Sequence, residues 1–205
     1  MRGTMMDFRL TLPTILERTG RIFPRVEIVS RKPDKSITRT CYGEFHFRAR
    51  RLASSLTKLG MKRGDRVASM MWNHSKHLEA FCGVPCGGGI LHTLNLRLRP
   101  HEIAVIAKHA GDRFLLIDDV LLPVYERFHQ AAPFEHVMVV PYGCNGVPQG
   151  FLNYEDIRTT TVVRATPCRH SREADAVVND VVDFPVREVL CIDAGMASLR
   201  AVFAM

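Results

Sequence analysis

From residue 44 onward the sequence alternates between two periodicities, and this alternation constrains the fold more than any other feature. Phe45, Ala49, Leu52, Leu56 and Leu59 recur at spacings of four and three, giving one apolar stripe along a helix over 44–59 that Gly60 is placed to end. A Lys62-Arg63-Gly64-Asp65 turn follows, then a continuous apolar strand over 66–71. The pattern then repeats: a helix over 75–86 and a strand over 90–95, a helix opened by Pro100 and closed at Ala110-Gly111 before a strand over 114–117, and a helix over 120–129 before a strand over 136–140. Alternating helices and strands with short connections predict α/β layers around a largely parallel sheet. The strands are unbroken Val/Ile/Leu/Met runs, as strands covered on both faces should be. Upstream, Thr11 is placed to cap a helix running to Phe23, and 26–30 and 37–42 read as a hairpin around Lys32-Pro33-Asp34-Lys35.

The texture changes after residue 158. Residues 159–205 contain no lysine and carry five arginines against six acids, a net of −1, so residues 1–158 hold +8 and the whole chain +7. Residue 158 is therefore the expected boundary between a folded body and a tail. In the tail, 186–192 could add a strand, and Met196, Leu199 and Phe203 lie at helical spacing. The tail is expected to be loosely held, with Arg164, Arg169 and Arg172 open to cleavage. The basic excess invites a nucleic-acid reading, but the arginines are spread along the chain. Their densest group, Arg48, Arg50 and Arg51, is expected on a solvated helix face, so no nucleic-acid partner is expected. No apolar run has the length of a membrane span, and MRGTMMDF lacks an apolar signal core, so a cytoplasmic protein is expected. Cys41, Cys82, Cys86, Cys144, Cys168 and Cys191 follow no framework spacing and are expected as free thiols.

Residues 84–100, VPCGGGILHTLNLRLRP, raise the question of a phosphate cradle. A P-loop needs Lys and Ser or Thr after its last glycine, where this chain has Ile90 and Leu91 after Gly89. The dinucleotide fingerprint fails too, because position 92 is His and the glycines precede the strand. Gly87, Gly88 and Gly89 are instead expected to end a helix and allow close backbone approach. His74, His77, Cys82 and Cys86 suggest a metal, but on one helix the outer two are about 18 Å apart and their directions fan over half a turn. Four zinc ligands cannot come from that arrangement, and no metal site is expected. Asp118 and Asp119 read as caps for the next helix, not as a catalytic pair. The residues alone assign no catalytic or cofactor-binding group.

A resemblance extends this reading. The helix ending Leu59-Gly60, the string Gly64-Asp65-Arg66-Val67-Ala68, Trp72-Asn73 with His77-Leu78-Glu79, and His92-Thr93-Leu94-Asn95-x-Arg97-Leu98 occur in the order found in adenylate-forming ligases. Over residues 7–158 the chain is most similar to medium- and long-chain fatty acyl-CoA synthetases. The resemblance implies a partial layered α/β domain, the N-terminal part of that fold. It also implies the family chemistry for an intact protein: ATP and Mg2+ activate a fatty acid as an acyl-adenylate, and coenzyme A then takes the acyl group as a thioester. The family's phosphate loop, of Thr-Ser-Gly-Thr-Thr-Gly-x-Pro-Lys-Gly type, is expected after the matched region. Here Thr159-Thr160-Thr161 leads to Val162-Val163-Arg164, with neither glycine nor lysine. No cofactor is therefore expected on this chain, and inactivity alone is the expectation. A shifted frame, a truncated gene or a pseudogene product would each account for the tail. The alternative reading is a non-catalytic module that pairs with itself or with an intact synthetase. Cys86, the third glycine, Cys41 and Phe47 depart from the family pattern.

Overall fold

The computed structural model describes residues 11–143 and 146–159. The tail expectations at 164–203, together with Cys144, Cys168 and Cys191, lie outside them. Helix α1 (Leu12–Ile22) leads to an antiparallel hairpin of β1 (Glu27–Arg31) and β2 (Ile37–Cys41). Then come α2 (Tyr42–Lys58), β3 (Arg66–Met70), α3 (Ser75–Cys86), β4 (Ile90–Thr93), α4 (Pro100–Ala110) and β5 (Phe114–Asp118). A 3-10 turn (Asp119–Leu121) and the short α5 (Leu122–Tyr125) precede β6 (His136–Val140), β7 (Leu152–Asn153) and α6 (Tyr154–Thr159).

Five strands form one sheet in the order β4-β3-β5-β6-β7, and every pairing in it is parallel. Side chains alternate across it, as strand geometry requires. Val67, Met71, Phe114, Leu116, Met138 and Val140 face one way, beneath Leu52 and Leu56 of α2, Ala80 and Val84 of α3, and Tyr154 of α6. Ala68, Met70, Leu115, Ile117 and Val139 face the other, beneath Ile103, Ala104 and Ala107 of α4 and Leu122, Tyr125 and Phe128. The expected α/β class and parallel sheet are therefore what the chain forms.

The stripe read on α2 is its core face, with Phe45, Ala49, Leu52 and Leu56 buried. Three details differ from the sequence reading. Helix α2 begins at Tyr42, not at 44. The helix expected over 120–129 is only a 3-10 turn and the four residues of α5. β7 and α6, with too few residues to show a period, were not foreseen.

The solvated arginine face also needs correction. Arg48 has a side chain only 18% exposed, pairing with Glu79 of α3 and with Glu155 of α6 at 3.1 Å. Tyr154 Oη donates to the other oxygen of Glu79 at 2.8 Å. Arg50 pairs with Glu17 of α1 at 3.3 Å, and the Arg51 guanidinium lies over the Phe47 ring at 4.2 Å. The physical reason is coverage: α2 is packed by α1, α3 and α6, so it keeps little solvent-facing arc. Burial works against the Arg48 charge, but Glu79 outweighs it and holds the guanidinium above its usual range.

Gly83 sets the distance between α2 and α3. A Cβ there would stand 2.7 Å from the Ala49 carbonyl oxygen and 3.0 Å from Leu52 Cδ2. Gly83→Ala gains about 1 kcal/mol of helix propensity. It must also push two helix backbones apart, at a cost of about 1–3 kcal/mol. We expect a net loss, seen as a lower urea midpoint at unchanged slope; a raised midpoint would show that the contact is not limiting.

Candidate functional site

In an open α/β sheet, ligands sit outside the carboxyl ends of strands where the chain turns to opposite sides. Here that place lies between β3 and β5. From β3 the chain passes through α3 to β4 at one edge; from β5 it passes through α5 to β6 on the other side. The two helices lie on opposite faces of the sheet. An open cleft of about 550 Å3 is found there, lined by Pro33, Trp72, Asn73, Val120, Leu121 and Tyr142.

The floor of this region is held by Asp118, the last residue of β5. Its side chain is fully buried, and its carboxylate accepts from the Trp72 backbone N–H at 2.7 Å and contacts His74 Nε2 at 3.0 Å. His74 is also the N-cap of α3: its Nδ1 accepts from the Lys76 backbone N–H at 3.2 Å. With Nδ1 accepting, Nε2 is the nitrogen that donates to Asp118. Asp118 thus ties the turn after β3 to the end of β5.

The neighbouring Asp119 holds the turn after β6. One carboxylate oxygen accepts from the backbone N–H groups of Val120, Tyr142 and Gly143, at 2.9, 3.1 and 2.7 Å. The capping expected of these two acids is not made: Asp118, the N-cap of the 3-10 turn, forms no side-chain cap, α5 has none either, and Asp119 lies inside the turn with its carboxylate turned to Val120, Tyr142 and Gly143. Both acids are buried because each answers backbone donors from a distant turn. Tyr142 stacks on His74 with ring centroids 4.3 Å apart and donates its hydroxyl to the Arg31 carbonyl at 2.6 Å. Burial, and then the charge of Asp118, raises the Tyr142 pKa, so it stays a neutral donor. Ser75 N donates to Ser30 Oγ at 2.9 Å, fastening the hairpin that carries Pro33. The cleft walls are therefore preformed. Trp72, 51% exposed, and the exposed Asn73 offer an indole face and an amide.

The His/Cys group does not converge. His74 is engaged by Asp118, and His77 Nε2 lies 3.2 Å from Ser69 Oγ inside the fold. Cys82 and Cys86 turn toward Leu16, Phe45 and Ala49. Among the described residues no group of three or more His, Cys, Asp or Glu could hold a metal ion, and Cys41, Cys82 and Cys86 are free thiols. The three glycines are packing devices. Gly87 and Gly89 leave room for Met61, whose Cε and Sδ would stand 2.6 and 2.8 Å from an added Cβ, and Gly88 takes φ +83°. Within the His-Thr-Leu-Asn string, His92 Nδ1 lies 2.8 Å from the buried Asp112, and Asn95 Oδ1 accepts from Arg97 N at 3.0 Å. Sequence reasoning missed the His74–Asp118 pair, 44 residues apart. The signal available was a carboxylate closing an otherwise apolar strand.

The profile of the AMP-binding enzyme family matches residues 16–181. The chain belongs to this family. It is 45% identical over 155 residues to a long-chain-fatty-acid–CoA ligase of Thermus thermophilus, and 35% identical over 161 residues to a medium-chain-fatty-acid–CoA ligase of Ectopseudomonas oleovorans. These matches cover 75% and 77% of this chain but only 28% and 30% of the two relatives, so the chain spans under a third of their length. Among solved structures, an anthranilate CoA ligase in complex with anthranoyl-AMP superposes with a TM-score of 0.68 at 21% identity, covering 78% of this chain and 30% of that one. That likeness shows a shared fold. No helix among the described residues is long and apolar enough to cross a membrane.

The buried His77 and the half-buried thiols of Cys82 and Cys86 give measurable consequences. Burial pushes the His77 pKa down to about 4 from an ordinary value of 6.5. The unfolded chain then binds the extra proton first, so stability falls as pH drops from about 6.5 to about 4, by about 3 kcal/mol in all. His77→Gln should flatten this part of the curve in urea melts from pH 7 to pH 4; an unchanged slope would show that His77 is not the group responsible. Burial also raises the Cys82 and Cys86 thiols to about 12. At pH 8 their thiolate fraction is about a thousandfold below that of a free cysteine. Alkylation of their peptides, followed by mass spectrometry, should be slower by that order until urea unfolds the chain. Rapid native labelling would contradict the burial described.

Proposed function

We propose that this chain is the N-terminal portion of a fatty acyl-CoA ligase and that these 205 residues do not activate a carboxylic acid by themselves. The observation that carries the reading is the 45% identity to a long-chain-fatty-acid–CoA ligase over 155 residues. The intact protein would use ATP and Mg2+ to form an acyl-adenylate and coenzyme A to receive the acyl group. Residues 1–158 form the ligase-like body in this proposal, with 159–205 as a tail. The described portion supplies a preformed cleft at the switch point of its sheet. The lining offers apolar surface, an indole, an amide and a phenol already bonded to the Arg31 carbonyl. None of these is a nucleophile or base suited to acyl activation, and the sequence holds no phosphate-binding loop for the triphosphate. The body thus shapes and supports a site whose reacting groups come from elsewhere in an intact ligase.

Two measurements test this. The 205-residue chain should give no fatty-acid-dependent exchange of pyrophosphate into ATP above background. A chimera carrying residues 1–158 in place of the corresponding segment of the Thermus thermophilus ligase should retain acyl-CoA formation. Exchange by the chain alone, lost on mutation within it, would overturn the inactivity. A chimera that folds and binds ATP yet forms no acyl-CoA would overturn the assignment of residues 1–158 as a working ligase portion.

A further inference from the structure

Most of the exposed large apolar side chains among the described residues lie near the start of the chain. Ile22, Phe23 and Val26 lead into the hairpin, and Val29 and Ile37 stand on it at 54% and 61% exposure. The hairpin's ladder shows which backbone groups face outward. Tyr42 N donates to Val26 O and Lys32 N to Ser36 O, each at 2.9 Å, and the pairs between them alternate from these two bonded ends. Ile28 with Thr40 and Ser30 with Thr38 are therefore hydrogen-bonded pairs, while Val29 with Arg39 and Arg31 with Ile37 are not. The N–H and C=O groups of Ile37 and Arg39 thus point away from β1. On the opposite edge the Arg31 carbonyl, outward by the same rule, takes the Tyr142 hydroxyl. Among the described strands β2 pairs with β1 alone, so its outer edge is open, and Ile37, Thr38 and Arg39 along it are all exposed. An open edge that carries an apolar side chain is a template for another strand.

We propose that β2 is a self-association edge: it pairs antiparallel with β2 of a second copy about a twofold axis at Thr38, giving a four-stranded sheet β1-β2-β2-β1. Charge and register identify the occupant. A twofold axis can set Ile37, Thr38 or Arg39 opposite itself. Centred on Arg39, it sets two guanidinium groups against each other. Centred on Ile37, it brings Arg39 against Lys35 of the second copy. Like charges directly opposite are destabilising. Centred on Thr38, each Ile37 meets Arg39 of the second copy, and the outward groups of the two pairs exchange four main-chain hydrogen bonds. The aliphatic stem of Arg39 then covers Ile37, while its guanidinium keeps Glu27 at 2.6 Å within its own chain. Val29, across the ladder from Arg39, extends the apolar row. The strand is complementary to itself in one register, as an isologous contact requires. A contact of this size belongs to the transient class of interfaces. The inference uses the hairpin alone and does not depend on the ligase reading.

The test uses the full 205-residue chain. In sedimentation equilibrium from about 5 to 200 µM, the apparent mass should rise from 23.2 kDa toward twice that value. Ile37→Pro removes an N–H that makes no bond to β1, and should hold the mass at the monomer value throughout. Ile37→Lys keeps that N–H but sets a cation opposite Arg39 of the second copy, and should weaken association by about tenfold. Circular dichroism of each variant checks that the fold is retained. Under mild oxidation Thr38→Cys should give a covalent dimer whose cross-linked peptide joins position 38 to position 38. The proposed register places these two Cβ atoms opposite each other in a non-hydrogen-bonded pair, within reach of a disulfide. A wild-type chain that stays monomeric over the whole range, or a dimer that survives Ile37→Pro, would overturn the proposal. So would a dimer whose Thr38→Cys variant cross-links through other cysteines and never through position 38.

Discussion

The parallel pairing of β3 with β5 is the constraint on which the rest of the structure depends. It joins Val67–Met70 to Phe114–Ile117 across more than forty residues of intervening chain. The intervening residues must therefore make α3, reach β4 at the edge, and return through α4 beneath the opposite face. Once β3 and β5 are neighbours, the helices that leave them must part to opposite faces, and the cleft between Trp72 and Tyr142 follows from that divergence. Closing such a loop costs entropy before any contact compensates for it. The compensation is burial on both faces, for Val67, Ala68, Phe114, Leu115, Leu116 and Ile117 are all without exposure to solvent.

Polar groups decide how the helical layer sits on that sheet. Glu79 is nearly fully buried at a helix contact otherwise made of Leu52, Leu56, Ala80 and Val84. A buried carboxylate is costly unless its oxygens are answered, and here Arg48 and Tyr154 answer one each. Removing either partner is worse than removing all three, because it leaves a desolvated charge. This makes the network a selector of arrangement more than a source of stability: α6 is the element that brings Tyr154 to Glu79. Arg51 shows the opposite case. It has burial and the Arg48 charge against it, which lower its pKa, and the Phe47 ring beneath it.

What was legible in the sequence is what local period encodes. The α2 stripe, the strand runs at 66–70 and 114–118 and the stop at Gly60 needed only neighbours three to four residues away, or an unbroken apolar run. The short α5 was misjudged because Val120, Leu121, Val124 and Tyr125 look amphipathic, while the chain tightens into a 3-10 turn around the Asp119 bonds to 142–143. The role of Arg48 was misjudged because its partners lie 31 and 107 residues away. Likewise the candidate cleft owes its shape to His74, Asp118, Asp119 and Tyr142, which no short spacing connects. Family resemblance located the strings that contain these residues, but not their contacts.

The triple glycine shows how a conspicuous motif and a functional site can part company in one chain. Gly87, Gly88 and Gly89 lie at the amino-terminal side of β4, where Gly88 O accepts from Gly64 N at 2.9 Å and Ile90 N donates to Asp65 O at 2.8 Å. The cleft is at the opposite end of the same strands. A parallel sheet gives its two ends different work: the carboxyl ends diverge into loops free to hold ligands, while the amino ends receive tight returns from helices. Glycine is needed at the second end for space, around Met61, and at φ +83° for direction. A phosphate cradle built from these residues would lie across the sheet from the only turns that Asp118 and Asp119 organise. The glycines therefore serve the ligase fold by letting α3 close onto β4, and the chemistry of the family must draw on residues outside this stretch.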